Sequence, residues 1–152
     1  MSSIKKNIAG KQFIAKKGLK VGIVQSEYNS EIGEILLKSC RKTLLKAGVL
    51  EKNIQLTNVP GAFEIPYACQ KMIQSKKPDV VIALGAIIKG GTPHFDYIAS
   101  TCSAGIMDVS LNTEVPIVFG VLTTNNLAQA KARTGKGVEA AQTALQLSNL
   151  KL

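Results

Sequence analysis

The sequence predicts a single α/β domain, a three-layer αβα sandwich around a parallel sheet. Strand-like and helix-like segments alternate along the whole chain, and the main strand-like segments are continuously apolar rather than alternating. Such strands are buried on both faces, which happens when crossover helices cover both sides of a parallel sheet. At 152 residues, 45% hydrophobic and 19% charged, the chain is long enough to bury one core of this kind.

The elements follow in order. Residues 1–20 form a polar, lysine-rich arm, and 21–152 the folded domain. "VGIVQS" (21–26) is a short buried strand. Ile32, Leu36, Leu44 and Ala47 then recur on one face of a helix over 31–47, and Gly48 stands where that helix would stop. "NIQLTNV" (53–59) is a strand, "VPGAF" (59–63) a turn, and 64–75 a helix. "DVVIALG" (79–85) is an apolar strand, 93–113 a long helix, and "VPIVFGVLTT" (115–124) another strand. Two more helices cover 125–134 and 137–150. Right-handed crossovers give a flavodoxin-like arrangement.

Composition narrows the functional classes. The longest apolar run, "VVIALGAII" at 80–88, is far too short to span a bilayer, and no signal-peptide pattern follows the lysine-rich start. The expected location is the cytoplasm, with no membrane partner. Cys40, Cys69 and Cys102 match no metal spacing and read as small buried hydrophobes, so no metal is expected. The net charge of +9 raises nucleic acid as a partner. Lys38, Arg41, Lys42 and Lys46 would form a basic stripe, but one helix face in solvent accounts for it equally. With four Phe, three Tyr and no Trp, no aromatic RNA-binding motif is present, and no nucleic-acid partner is expected.

Ligands of open parallel sheets bind beyond the carboxyl ends of the strands. Four loops should meet there: "QSEYNSE", "VPGAFEIP", "GAIIKGGTPHFDY" and "FGVLTTNN". Thr92-Pro93 signals a helix start, with Thr92 as N-cap and Pro93 at the first helical position. His94, the single histidine, falls in the first turn, where unpaired N–H groups and the helix dipole favour an anion such as phosphate. It reads as a proton shuttle or as an exposed capping residue. Gly90 and Gly91 would let a ligand approach the backbone, or serve only the turn. The segment is neither a P-loop nor GxGxxG, so no nucleotide is indicated. Glu64 complements a helix dipole or accepts from ligand hydroxyls. Tyr28 and Phe63 stack on a planar ring or close the top of the core. Arg133 grips a phosphate or caps a helix C-terminus.

Three blocks in order, "VPGAFEIP", "ALGAIIKGGTPHFDY" and "PIVFGVLTTNNLAQA", resemble the 6,7-dimethyl-8-ribityllumazine synthases of riboflavin biosynthesis, and the likeness runs from Val21 to Leu150. The resemblance implies a transferase that condenses 5-amino-6-(D-ribitylamino)uracil with 3,4-dihydroxy-2-butanone 4-phosphate, releasing phosphate and water, with no cofactor. It implies His94 as the general acid/base and Tyr28 as the aromatic stacked on the pyrimidine. Ala62, Phe63 and Glu64 would hold the ribityl chain and ring, with Glu64 on the hydroxyls. The backbone of Ala86, Ile87 and Ile88 would read the uracil edge. Gly91 and Thr92 would line the phosphate-ketone pocket, Arg133 would bind phosphate, and Lys136 would lie near phosphate and ribityl groups. Phe119 matches an aromatic supplied by a neighbouring subunit.

The family's assembly implies a homo-oligomer, a pentamer or an icosahedral shell of pentamers, with "KQFIAKKG" added as a strand to a neighbour's sheet. Two departures stand out. "SEYN" replaces the usual "SRFN", and "RTGKG" (133–137) is shorter than the family's usual turn. The shortened turn also motivates a second reading, a flavin- or lumazine-binding protein without turnover.

Overall fold

The computed structural model describes residues 13–152. Four parallel strands form one sheet in the order β2-β1-β3-β4: β1 (Val21–Ser26), β2 (Ile54–Val59), β3 (Val80–Ile88) and β4 (Ile117–Thr124). The helices are α1 (Ser30–Lys46), α2 (Ile65–Lys76), α3 (His94–Thr113), α4 (Leu127–Ala132) and α5 (Lys136–Ser148). Short 3-10 turns at Glu51–Asn53 and Ala62–Glu64 lead into β2 and α2. The three-layer αβα sandwich and flavodoxin-like parallel sheet expected from the sequence are present.

Each central strand feeds two cores, because alternate residues point to opposite faces. Along β3, Val80, Ile82, Leu84 and Ala86 join α1 and α5 on one side, through Leu36, Leu44, Ala141 and Leu145. Val81, Ala83 and Ile87 join α2 and α3 on the other, through Ile65, Cys69, Cys102 and Ile106. This is why β1 and β3 read as unbroken apolar runs. β2 is an edge strand, and Gln55 through Asn58 are exposed.

Helix termini explain most element boundaries. Beyond α1, Gly48 adopts φ 105°, its N–H donates to Leu45 O at 3.1 Å, and Val49 N–H donates to Leu44 O at 3.1 Å. This pair of bonds is a Schellman motif, and the left-handed backbone requires the glycine there. At the end of α3, the Ser110 hydroxyl donates to Val115 O (3.0 Å) and accepts from Ile117 N–H (3.2 Å), fixing the entry to β4.

The structure corrects several expected bounds. β3 continues through Ala86, Ile87 and Ile88, because β4 pairs with those residues through Leu122, Thr123 and Thr124. β4 begins at Ile117 rather than Val115, since Pro116 has no N–H to give the ladder. The helix expected over 125–134 is confined to α4. Asn126 Oδ1 accepts from Gln129 N–H at 2.9 Å and caps its start, and Arg133 to Gly135 form a turn.

The arm lies partly outside the described residues. Its residues 13–20 contain no strand. Ala15 N–H donates to Ala47 O (2.9 Å), Asn149 Nδ2 donates to Ile14 O (2.9 Å), and Leu19 is buried in the core.

Candidate functional site

Beyond the carboxyl ends of β1, β2 and β3 lies a recess of about 710 Å³, within the ~300–1,000 Å³ usual for small-molecule sites. Backbone bonds bring its loops together. Glu27 N–H donates to Val59 O (2.8 Å) and Tyr28 N–H to Pro60 O (3.1 Å), joining the loop after β1 to that after β2. Beyond Gln25 and Leu84, the last residues paired between β1 and β3, the side chain of Asn29 takes over. Its Nδ2 donates to Ala86 O at 2.9 Å while its own backbone is left-handed, φ 60° and ψ 47°.

Most of the residues expected from the sequence meet in this recess: Tyr28, Ala62, Phe63, Glu64, Ala86, Ile87, Ile88, Thr92 and His94 all line it. Tyr28 and Phe63 are 75% and 60% exposed. That decides against their closing the top of the core and leaves two aromatic faces open to a planar ligand. Glu64 Oε2 accepts from Gly61 N–H at 3.0 Å, so its carboxylate is anchored at the rim.

His94 is the first residue of α3 and is exposed to the recess. The capping expected of Thr92 is displaced by one residue. Pro93 is already right-handed (φ −65°, ψ −4°) and occupies the N-cap position, and the Thr92 hydroxyl reaches only His94 N–H, at 3.4 Å. Pro93 O accepts from Asp96 N–H (3.0 Å) and Tyr97 N–H (3.4 Å), the first bonds of the helix, so Pro93 is the cap and the helix starts one residue later than the sequence suggests. His94 and Asp96 form no hydrogen bond or ion pair among the described residues, as i, i+2 geometry dictates.

A Cβ added at Gly90 or Gly91 would meet nothing within 4 Å, and neither residue has a positive φ. Neither packing nor backbone conformation therefore demands glycine there. Gly90 lines the recess, but Gly91 does not.

Phe119, Arg133 and Lys136 do not join this group. They line a second recess of about 550 Å³, with Thr123, Gly135 and Glu139, and no residue lines both recesses. The β4 residues that line a recess line this second one, while the end of β4 stays joined to the loop after β3 through Lys89 N–H, which donates to Thr124 O at 2.9 Å. The shortened "RTGKG" still places Lys136, at the start of α5, beside Arg133, whose Nη1 donates to Gln129 O at 3.3 Å.

Sequence reasoning missed Asn29, Gly61, Phe95 and Ile98, which also line the first recess. Asn29 carried one usable signal, since asparagine tolerates the left-handed region better than other side chains.

Burial pushes the Cys40 and Cys69 thiols up to about 12, and Cys102 to about 11. None is a thiolate near neutral pH, and all three sit in the helix-to-sheet cores as the sequence suggested. Among the described residues, no group of three His, Cys, Asp or Glu side chains could hold a metal ion, and no helix is long and apolar enough to cross a membrane.

Residues 18–151 match the family model of 6,7-dimethyl-8-ribityllumazine synthase. The chain belongs to that family. The match spans every strand and helix of the fold, and it includes both recesses. Lumazine synthases are transferase-type enzymes of riboflavin biosynthesis, so this member is assigned small-molecule substrates and an activity in that pathway.

Proposed function

We propose that the chain condenses 5-amino-6-(D-ribitylamino)uracil with 3,4-dihydroxy-2-butanone 4-phosphate to give 6,7-dimethyl-8-ribityllumazine, inorganic phosphate and two waters. The observation that carries this reading is His94 at the tip of α3, lining one recess with two open aromatic faces, a carboxylate and the backbone of β3. No cofactor is needed for the sequence of bonds. The 5-amino group attacks the ketone and expels the first water as an imine forms. Loss of the C3 proton and of phosphate from C4 leaves an enol that tautomerises to a ketone at C3, and attack of the ribitylamino nitrogen on that new carbonyl closes the ring and expels the second water.

In this scheme Tyr28 and Phe63 sandwich the pyrimidine, and Ala62 and Glu64 hold the ribityl chain. The backbone of Ala86 to Ile88 reads the uracil edge, and His94 moves the protons. Gly91 and Thr92 border the ketone phosphate, and Arg133 and Lys136 neutralise it. Phosphate needs such cations, and among the residues lining the first recess there is no Lys or Arg. The cations line the second recess. The active site is therefore read as shared, with the second recess and Phe119 supplied by a neighbouring copy in a pentamer-based cytoplasmic homo-oligomer. Residues 21–152 form the catalytic domain.

The test is a mixing experiment. His94→Ala should slow lumazine formation by ~10²-fold, the lower part of the range for a lost general acid/base, toward the spontaneous rate. Arg133→Gln should raise KM for the phosphorylated ketone. Co-assembled at equal ratio and assayed at ketone concentrations well below the raised KM, the two variants should recover about a quarter of wild-type activity, because random heterologous contacts join one intact recess of each kind that often. No recovery would place both residues in one chain's site. Undiminished turnover by His94→Ala would remove the proposed chemistry.

A further inference from the structure

We propose that a second small-molecule site lies at the opposite edge of the sheet, and that it takes a diphosphate. A cavity of about 230 Å³ opens there, lined by Lys20, Lys52, Lys76, Asn53 and Gln55 among others. The lysines come from three separate segments, the approach to β1, the 3-10 turn before β2 and the last residue of α2, and the sheet register explains their convergence. Val21 of β1 pairs with both Ile54 of β2 and Val80 of β3, so the three strands begin at one level. Lys20, Lys52 and Lys76 each stand just before one of those starts. Parallel strands place all such approach loops at the same edge, distant from the recess that holds His94.

The charge balance is one-sided. No carboxylate lines the cavity. The Asp79 carboxylate, whose Oδ2 accepts from Lys20 backbone N–H at 2.8 Å, lies beside the cavity and offsets part of its charge, leaving the three lysines in excess. Glu51, which precedes Lys52, pairs with Arg41 at 2.9 Å. Three exposed lysines lining one concavity raise the local positive potential, and a polyanion bound there relieves their mutual repulsion. The carboxamides of Asn53 and Gln55 add neutral N–H donors suited to phosphate oxygens. The cavity is smaller than the ~300 Å³ lower bound of ordinary ligand pockets, which favours a compact, highly charged group over a whole nucleotide. The diphosphate is either inorganic pyrophosphate or the head of an organic diphosphate whose remainder stays outside.

The experiment is equilibrium dialysis of the full-length, assembled protein against labelled inorganic pyrophosphate and, separately, ADP. It is run in an Arg133→Gln background, to weaken anion binding at the proposed active site. Binding should survive that background, and Lys52→Gln/Lys76→Gln should weaken it by at least about tenfold, the loss expected for charge-assisted hydrogen bonds to an anion. Lys42→Gln/Lys46→Gln, which removes the same net charge from α1, should change it by less than about twofold if the site is local. Lys52→Arg/Lys76→Arg should retain binding, and turnover should be unaffected by either change at Lys52 and Lys76. Tighter retention of ADP would identify an organic diphosphate, and equal or weaker retention the inorganic ion. The proposal is overturned if Arg133→Gln alone abolishes binding, if the two lysine pairs contribute equally, or if neither probe binds.

Discussion

Asn29 offers the sharpest test of how the site is built, because its two roles are separable by substitution. It bridges to Ala86 O at 2.9 Å, and it holds a left-handed backbone at the entrance to α1. Asn29→Gly removes the bridge but accepts the backbone conformation freely. The expected loss is ~0.5–1.5 kcal/mol, that of one partly buried neutral hydrogen bond. Asn29→Ala removes the bridge and keeps a Cβ in the left-handed region without asparagine's local hydrogen bonding, so it should be less stable than Asn29→Gly by up to ~1–2 kcal/mol. For a chain of this length, ~1 kcal/mol corresponds to about 2–4 °C in melting midpoint.

The glycine variant should therefore melt a few degrees below wild type, and the alanine variant further below it. Both are measured at one protein concentration, because assembly contributes to apparent stability. The functional arm follows from the same contact. Freed from Asn29, the Ala86 carbonyl and the loop carrying Tyr28 lose their mutual register, so KM for the pyrimidine should rise in both variants. Alanine at least as stable as glycine would refute the backbone argument. An unchanged KM in both would refute the positioning argument.

Two further outcomes follow from packing and burial. A Cβ at Gly137 would lie 2.5 Å from Leu36 O and collide with Ser39 Oγ, so α1 and α5 cannot stay in contact without backbone movement. Gly137→Ala should cost ~1–3 kcal/mol in chemical denaturation, whereas Gly90→Ala, with open space around it, should stay within ~0.5 kcal/mol. The thiols set a pH dependence. Their folded pKa values, about 12 for Cys40 and Cys69, exceed the ordinary 9.0, so above pH 9 the unfolded chain releases protons that the native state keeps. Their contribution is complete below pH 9 and declines from there through about pH 12. The denaturation midpoint should fall more steeply over that interval in wild type than in Cys40→Ala, and parallel curves would contradict this assignment.

The fold was legible because burial on both sheet faces writes itself into β1 and β3 as unbroken apolar runs, a signal that survives without tertiary information. β2 carried less of it, since an edge strand with four exposed residues differs little from a loop in composition. Boundaries failed where a partner decided them: β3 runs on to Ile88 only because β4 lies alongside. At the site, His94 and Glu64 were legible through helix-start chemistry. The bridge from Asn29 was not, because residues 57 positions apart meet only through the register of β1 and β3. The lysine cavity was hidden for the same reason: Lys20, Lys52 and Lys76 form no pattern along the chain.

The separation of the two recesses constrains any assembly that uses both. Tyr28, Phe63, Glu64 and His94 line one surface, and Phe119, Arg133 and Lys136 line another, with no residue in common. A contact that brings the first surface of one copy to the second surface of the next joins unlike patches. Such a heterologous contact leaves a free patch at each end until the chain of copies closes on itself, so it generates a ring or an open filament. A two-fold dimer would complete both sites only if a single patch contained both recesses. A ring completes one site per subunit and leaves none unfilled. It also fixes the distance between His94 and Arg133 by the geometry of the interface rather than by any loop within one chain. The length of the 133–137 turn then matters chiefly through how it shapes that interface.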